Sequence, residues 1–98
     1  MHVANEILAQ LGGNRFVAMT GAKNFTGTEN SLHFALPARF AKDGINRVVV
    51  ALDPSDTYTV TFYRARGTSL KTIATDAMVY CDTLRATFTE RTGLLCTL

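Results

Sequence analysis

Few side chains in this sequence could do covalent or metal chemistry, and their spacing limits them further. The only histidines are His2 and His33. His2 sits at the start of the chain, and His33 lies in the middle of an alternating, strand-like stretch, where it reads as a surface residue. A nucleophilic site needs Ser, Cys or Thr beside an oriented base. Cys81 and Cys96 have no second cysteine and no histidine at metal-ligand spacing. Cys81 falls at helical intervals from Ala77, Leu84 and Phe88, which predicts a small buried core residue; Cys96, near the end, reads as an exposed thiol. Asp53 and Asp56 flank Pro54-Ser55. Two carboxylates fall short of the six or more oxygens a hard cation takes, whereas Asp-Pro-Ser-Asp is what a tight turn uses.

Two glycine-containing stretches invite a phosphate-loop reading. Gly12-Gly13 lacks the spaced glycines of such a loop. Thr20-Gly21-Ala22-Lys23 lacks the earlier glycine and runs into Asn24-Phe25. Turns account for both. No catalytic, cofactor-binding or metal-ligating residue is assigned, and the chain reads as something other than a self-sufficient enzyme; an active site completed by a second chain stays open. The richer polar group is Arg64, Arg66 and Lys71 with Tyr63 adjacent. Arginines beside an aromatic ring on a sheet can hold phosphates and stack a base, which is the nucleic-acid reading. Basic residues at a sheet edge also keep strands from pairing with strangers.

The elements that must position these residues follow from periodicity. Ala4, Ile7, Leu8 and Leu11 recur at helical spacing, and Gly12-Gly13 stops that helix. Strands are predicted at residues 16–20, 31–36, 47–52, 57–64 and 69–73. The fourth is the clearest, because Tyr58, Val60 and Phe62 alternate with Thr57, Thr59, Thr61 and Tyr63. Val48, Val49 and Val50 give the third a β-branched composition suited to burial. The intervening Asp-Pro-Ser-Asp turn makes these two an antiparallel hairpin, and residues 64–68 make a second turn. A final helix is predicted over residues 76–92, capped by Thr75 or Asp76 and ended by Gly93, with Leu94 folding back. Residues 38–46 read as a mobile loop. The expected architecture is a single α+β domain over residues 1–98: a four- to five-stranded antiparallel sheet with an N-terminal and a C-terminal helix packed on one face.

That arrangement leaves the other sheet face to Thr57, Thr59, Thr61 and Tyr63, with Val49, Ala51, His33 and Ala35 on neighbouring strands. The mixture is too apolar for a plain solvent face and too hydroxylated for a core, and a contiguous patch of that kind marks a partner surface. Val49, Thr59, Thr61 and Tyr63 are the expected contacts for a protein partner or a second copy of the chain, with Arg64 and Arg66 at the rim. The alternative site, for nucleic acid, comprises Tyr63, Arg64, Arg66 and Lys71.

Three stretches carry a resemblance: residues 14–25 (Asn-Arg-Phe-Val-Ala-Met-Thr-Gly-Ala-Lys-Asn-Phe), residues 52–58 (Leu-Asp-Pro-Ser-Asp-Thr-Tyr), and residues 79–85 (Val-Tyr-Cys-Asp-Thr-Leu-Arg) with Thr92-Gly93-Leu94. Together they resemble a family of small uncharacterised proteins carried by bacteriophages, prophages and conjugative elements. The resemblance implies a setting, the cytoplasm of a bacterial host, and a role in binding a host or viral macromolecule, including inhibition of a host system. It implies no cofactor.

Composition agrees with a small folded domain. Hydrophobic residues make up 47% of the 98 positions against 18% charged, the reverse of a disordered chain. The net charge of +2 is spread along the sequence and gives no basic run of the kind that marks a strong nucleic-acid footprint. The first residues lack the basic and apolar regions of a secretory signal, and the longest apolar run, residues 48–52, is far below the ~20 residues of a membrane helix. The cytoplasm is the expected compartment.

Overall fold

The computed structural model describes residues 2–37 and 41–94. Helix α1 spans His2–Leu11 and buries Ala4, Ile7 and Leu11 on one stripe, as the spacing predicts. Gly12 and Gly13 end it: both of their amides donate to the Leu8 carbonyl, and both take positive φ, where a glycine has no Cβ to clash.

The next element differs from the sequence reading. Residues 16–20 belong to a second helix, α2, at Asn14–Thr20. Phe16, Val17 and Met19 satisfy either period, and the tertiary contacts settle it: Phe16 and Thr20, four apart, are the two residues that α2 buries. The Thr20 hydroxyl donates to the Phe16 carbonyl at 2.7 Å and accepts from the Ala22 amide at 3.2 Å, so it closes the helix from inside the core. Gly21 then caps the end in the left-handed region.

Five strands follow, β1 Lys23–Gly27, β2 Ser31–Ala35, β3 Arg47–Leu52, β4 Tyr58–Arg66 and β5 Ser69–Val79. They pair antiparallel in chain order, each with its sequence neighbour. Strand β1 begins at the end of the expected Thr20–Lys23 turn and runs through residues to which the sequence assigned no element, because a bulge hides its alternation. Asn24 takes φ 58 and the register shifts between Lys23 and Thr26; Asn tolerates that backbone better than most residues. The segment read as a mobile loop is largely structured. Residues 38–40 lie outside the described residues, but Lys42–Gly44 form a 3-10 turn, Ile45 is buried and Asn46 bonds to β4.

The C-terminal half also needs correction. Strand β5 runs to Val79, and the last helix, α3, is confined to Leu84–Thr92. Ala77 and Cys81 share helical spacing with Leu84 and Phe88 but are not helical. Ala77 is in the strand and exposed, and Cys81 is an exposed free thiol in the turn before α3. Asp76, expected as a helix cap, pairs with Val60 in the sheet and reaches α3 through its side chain. Arg91 Nε and Nη2 donate to the two carboxylate oxygens, each at 2.8 Å. Cys96 lies outside the described residues. Gly93 takes the left-handed cap, and Leu94 packs against the core as expected.

One apolar cluster holds the domain together. Leu32 and Phe34 of β2, Val48 and Val50 of β3, and Tyr58, Val60 and Phe62 of β4 face Ile7, Leu11, Phe16, Leu84 and Phe88 of the helices. Phe16 meets Phe34 and Phe88 edge-on at 5.4 and 5.2 Å between ring centroids, the geometry aromatic quadrupoles favour. Burying a side chain of this size is worth about 1.5–3 kcal/mol. Burial also pushes the Tyr58 phenol above its ordinary pKa, with the Gln10 amide working against the shift and Glu6 adding to it. The chain is therefore α+β, a five-stranded antiparallel sheet with its terminal helices on one face.

Candidate binding face

With the helices committed to one side, the pleat assigns the other. Residues directly opposite each other across the ladders form three rows: Thr26, His33, Val49, Thr61 and Thr75; Lys23, Ala35, Arg47, Tyr63 and Thr72; and Ser31, Ala51 and Thr59. His33, Val49, Thr59, Thr61 and Tyr63 are all partly exposed. Four of the six expected contacts, Val49, Thr59, Thr61 and Tyr63, therefore share one surface in the register that the alternation of β4 implied.

Thr57 does not belong to it. It precedes β4, is buried, and its hydroxyl lies 3.0 Å from that of Ser55. Thr59 is partly committed: its hydroxyl donates to Asp53 Oδ2 at 2.7 Å, which ties the β3–β4 turn to the strand and gives Asp53 a structural task. At the far end of the face, the Ser31 hydroxyl lies 3.1 Å from His33 Nε2 and also contacts the Thr28 hydroxyl. This Ser–His contact escaped the sequence reading, although Ser31 and His33 are two apart on a strand and so must share a face. Ser31 is buried, and among the described residues no carboxylate hydrogen-bonds His33 to orient it as a base.

The pleat separates Tyr63 from the basic cluster. Arg64 and Lys71 are opposite each other, as are Arg66 and Ser69, one residue out of phase with Tyr63 and Thr72. Arg64 and Lys71 therefore lie on the helix-bearing side. The Arg64 side chain comes so close to Gly44 that a Cβ there would meet its Cδ at 2.8 Å. Arg66 is exposed beside the Gly67-Thr68 turn. Tyr63, Arg64, Arg66 and Lys71 thus do not form one patch, and Arg64 and Arg66 do not rim the threonine face. The pleat separates neighbours in sequence to opposite sides of a sheet.

Arg47 is a cation on the threonine face, in the same row as Lys23. It starts β3, stands directly opposite Tyr63 and is exposed. The same two-residue parity that groups Val49 with Thr61 places it there, so the signal was present in the sequence. Arg47 and Tyr63 help to line an open concavity of about 480 Å³, with Asn24, Thr26, His33 and Leu70 around it. Leu70 is 60% exposed, unusual for so large an apolar side chain.

Among the described residues no three His, Cys, Asp or Glu side chains gather as a metal site, and no helix is long and apolar enough to cross a membrane. A scan of protein-family models, a search of curated proteins and a search of solved structures each found no match.

Proposed function

We propose that this protein is a small non-enzymatic accessory protein that works by binding a protein partner through the threonine face of its sheet. One observation carries the reading. Val49, Thr59, Thr61 and Tyr63 form a partly exposed, semi-apolar surface on the side of the sheet opposite the helices. Hydroxyls flanking a valine on rigid, paired strands offer directional hydrogen bonds at little entropic cost on docking. The resemblance to proteins of phages and conjugative elements supplies the setting: a bacterial cytoplasm, with a host component as the partner and inhibition as one outcome of binding.

The test is a pull-down from bacterial lysate with the wild-type protein and with Thr61→Glu/Tyr63→Glu, both checked for native circular dichroism. Loss of a specific captured protein in the double variant supports the reading. Capture of the same protein by the folded variant overturns it.

A further inference from the structure

We propose that the same sheet carries a small-ligand site for a phosphomonoester attached to a flat ring, of the nucleoside monophosphate class, at the Lys23–Arg47–Tyr63 row. The register sets five residues side by side across the whole sheet: Lys23 on β1, Ala35 on β2, Arg47 on β3, Tyr63 on β4 and Thr72 on β5. In chemical terms the row reads cation, small residue, cation, ring, hydroxyl. Lys23 and Arg47 are two strands apart, so their backbones are separated by roughly 10 Å. Ala35 between them is buried, so the space open to an anion is the concavity that Arg47 lines. Both cations are exposed, and among the described residues neither side chain makes an ion pair or hydrogen bond within the protein.

Three further features narrow the ligand. No carboxylate lines the concavity beside Arg47, so an anion entering it meets attraction without a competing charge. Tyr63 is the next residue along the row and is partly exposed, which puts an aromatic surface next to the anion position. A base tethered to a phosphate needs that adjacency, and stacking on an aromatic side chain is worth about 1–3 kcal/mol per base. Arg47 and Tyr63 line the concavity, with Lys23 outside its lining, and its volume of about 480 Å³ lies in the range of roughly 300–1,000 Å³ usual for small-molecule sites. Arginine's planar fork suits phosphate oxygens, and a lysine adds a point charge. The site does not depend on capture of a protein partner, and Lys23 and Arg47 are not among the contacts assigned to that partner.

The experiment is an NMR titration of the isotope-labelled full chain with AMP, adenosine, inorganic phosphate and a short oligonucleotide, each at constant ionic strength. AMP is expected to shift the amides of Thr26, His33, Arg47, Tyr63 and Leu70 saturably and to bind more tightly than either fragment. Arg47→Gln should weaken AMP by ~tenfold or more, the usual loss for a charge-assisted hydrogen bond, and Lys23→Gln should weaken it severalfold. Absence of shifts at this row, or unchanged AMP affinity in folded Arg47→Gln, overturns the site. Phosphate binding as tightly as AMP overturns the ring requirement. Tighter binding of a short oligonucleotide than of AMP overturns assignment to a free mononucleotide.

Discussion

Asn46 and Ala65 exchange two hydrogen bonds that extend the β3–β4 ladder beyond the end of β3. The Asn46 side-chain amide donates to the Ala65 carbonyl at 2.9 Å, and the Ala65 amide donates to Asn46 Oδ1 at 2.7 Å. The Asn46 backbone amide meanwhile donates to the Tyr63 carbonyl at 3.0 Å. A carboxamide presents an N–H donor and a C=O acceptor side by side, so it can stand in for a further strand residue. Asn46→Ala leaves a partly buried N–H and C=O without partners and should cost about 1–3 kcal/mol, measured by urea denaturation. Asn46→Asp keeps the acceptor but sets a carboxylate against the Ala65 carbonyl. It should therefore be less stable at neutral pH than below its own titration.

Gly44 and Arg64 predict a coupled effect. Gly44 has φ 71, and an added Cβ would come within 2.8 Å of Arg64 Cδ. Gly44→Ala should lose about 1–2 kcal/mol from the left-handed backbone alone, plus the displacement of Arg64. In an Arg64→Ala background the displacement vanishes and only the backbone part remains. A double-mutant cycle measures the difference; strict additivity would show that the arginine moves aside freely.

Asp76 links strand β5 to α3 in a pH-dependent way. Its hydrogen bonds from Arg91 hold the carboxyl below its usual range, partial burial opposes this, and charge attraction adds to it. A depressed folded value means the pair stabilises the protein above the unfolded carboxylate pKa of about 3.9. That contribution is lost as pH falls through the lower folded value. Because Arg91 is 45% exposed, solvent screening keeps the gain small. Asp76→Asn should show that deficit at neutral pH, and its stability should converge on the wild type in strong acid, followed by denaturation midpoints across the acid range.

Phe16 lies fully buried between Phe34 and Phe88. Phe16→Ala should cost about 3–5 kcal/mol, a large share of the roughly 5–15 kcal/mol that holds a domain of this kind. Calorimetry should show a markedly lower Tm or no cooperative transition. Exposed Ala18 on the same helix is the contrast, and Ala18→Ser should change little.

Cys81 is exposed in the turn before α3. It should react with a thiol reagent in the native protein, without denaturant, and peptide mapping will place the label. Protection of Cys81 until unfolding would contradict its position.

The central strands were legible because burial wrote itself into their period. In residues 57–64 every second side chain meets helices, so alternation survives as a pattern, and it correctly grouped Val49 with Thr59, Thr61 and Tyr63. Legibility failed where backbone irregularity broke the period. Asn24 and Met78, both with positive φ, put bulges into β1 and β5 and erased their alternation. Residues 77–88 then offered a helical spacing that only Leu84 and Phe88 use. Residues 16–20 failed for another reason: a short apolar run fits both periods, and contact with Phe34 and Phe88 decided it. The binding face inherited the same limits. Arg64 and Arg66 were grouped with Tyr63 by proximity in sequence, while Arg47, remote along the chain, was a cation that register brought to it.

The unbroken neighbour-to-neighbour order of the sheet has a kinetic consequence. Each strand finds its mate in the next strand of the chain, across no connection longer than residues 36–46 between β2 and β3, so little loop entropy stands between the unfolded chain and a zipped meander. The distant event is the meeting of α1 with α3, where Arg85 Nε reaches the Gln10 carbonyl at 2.8 Å across 75 positions of chain. Closure of that clasp should set the refolding rate, and strand assembly should run ahead of it.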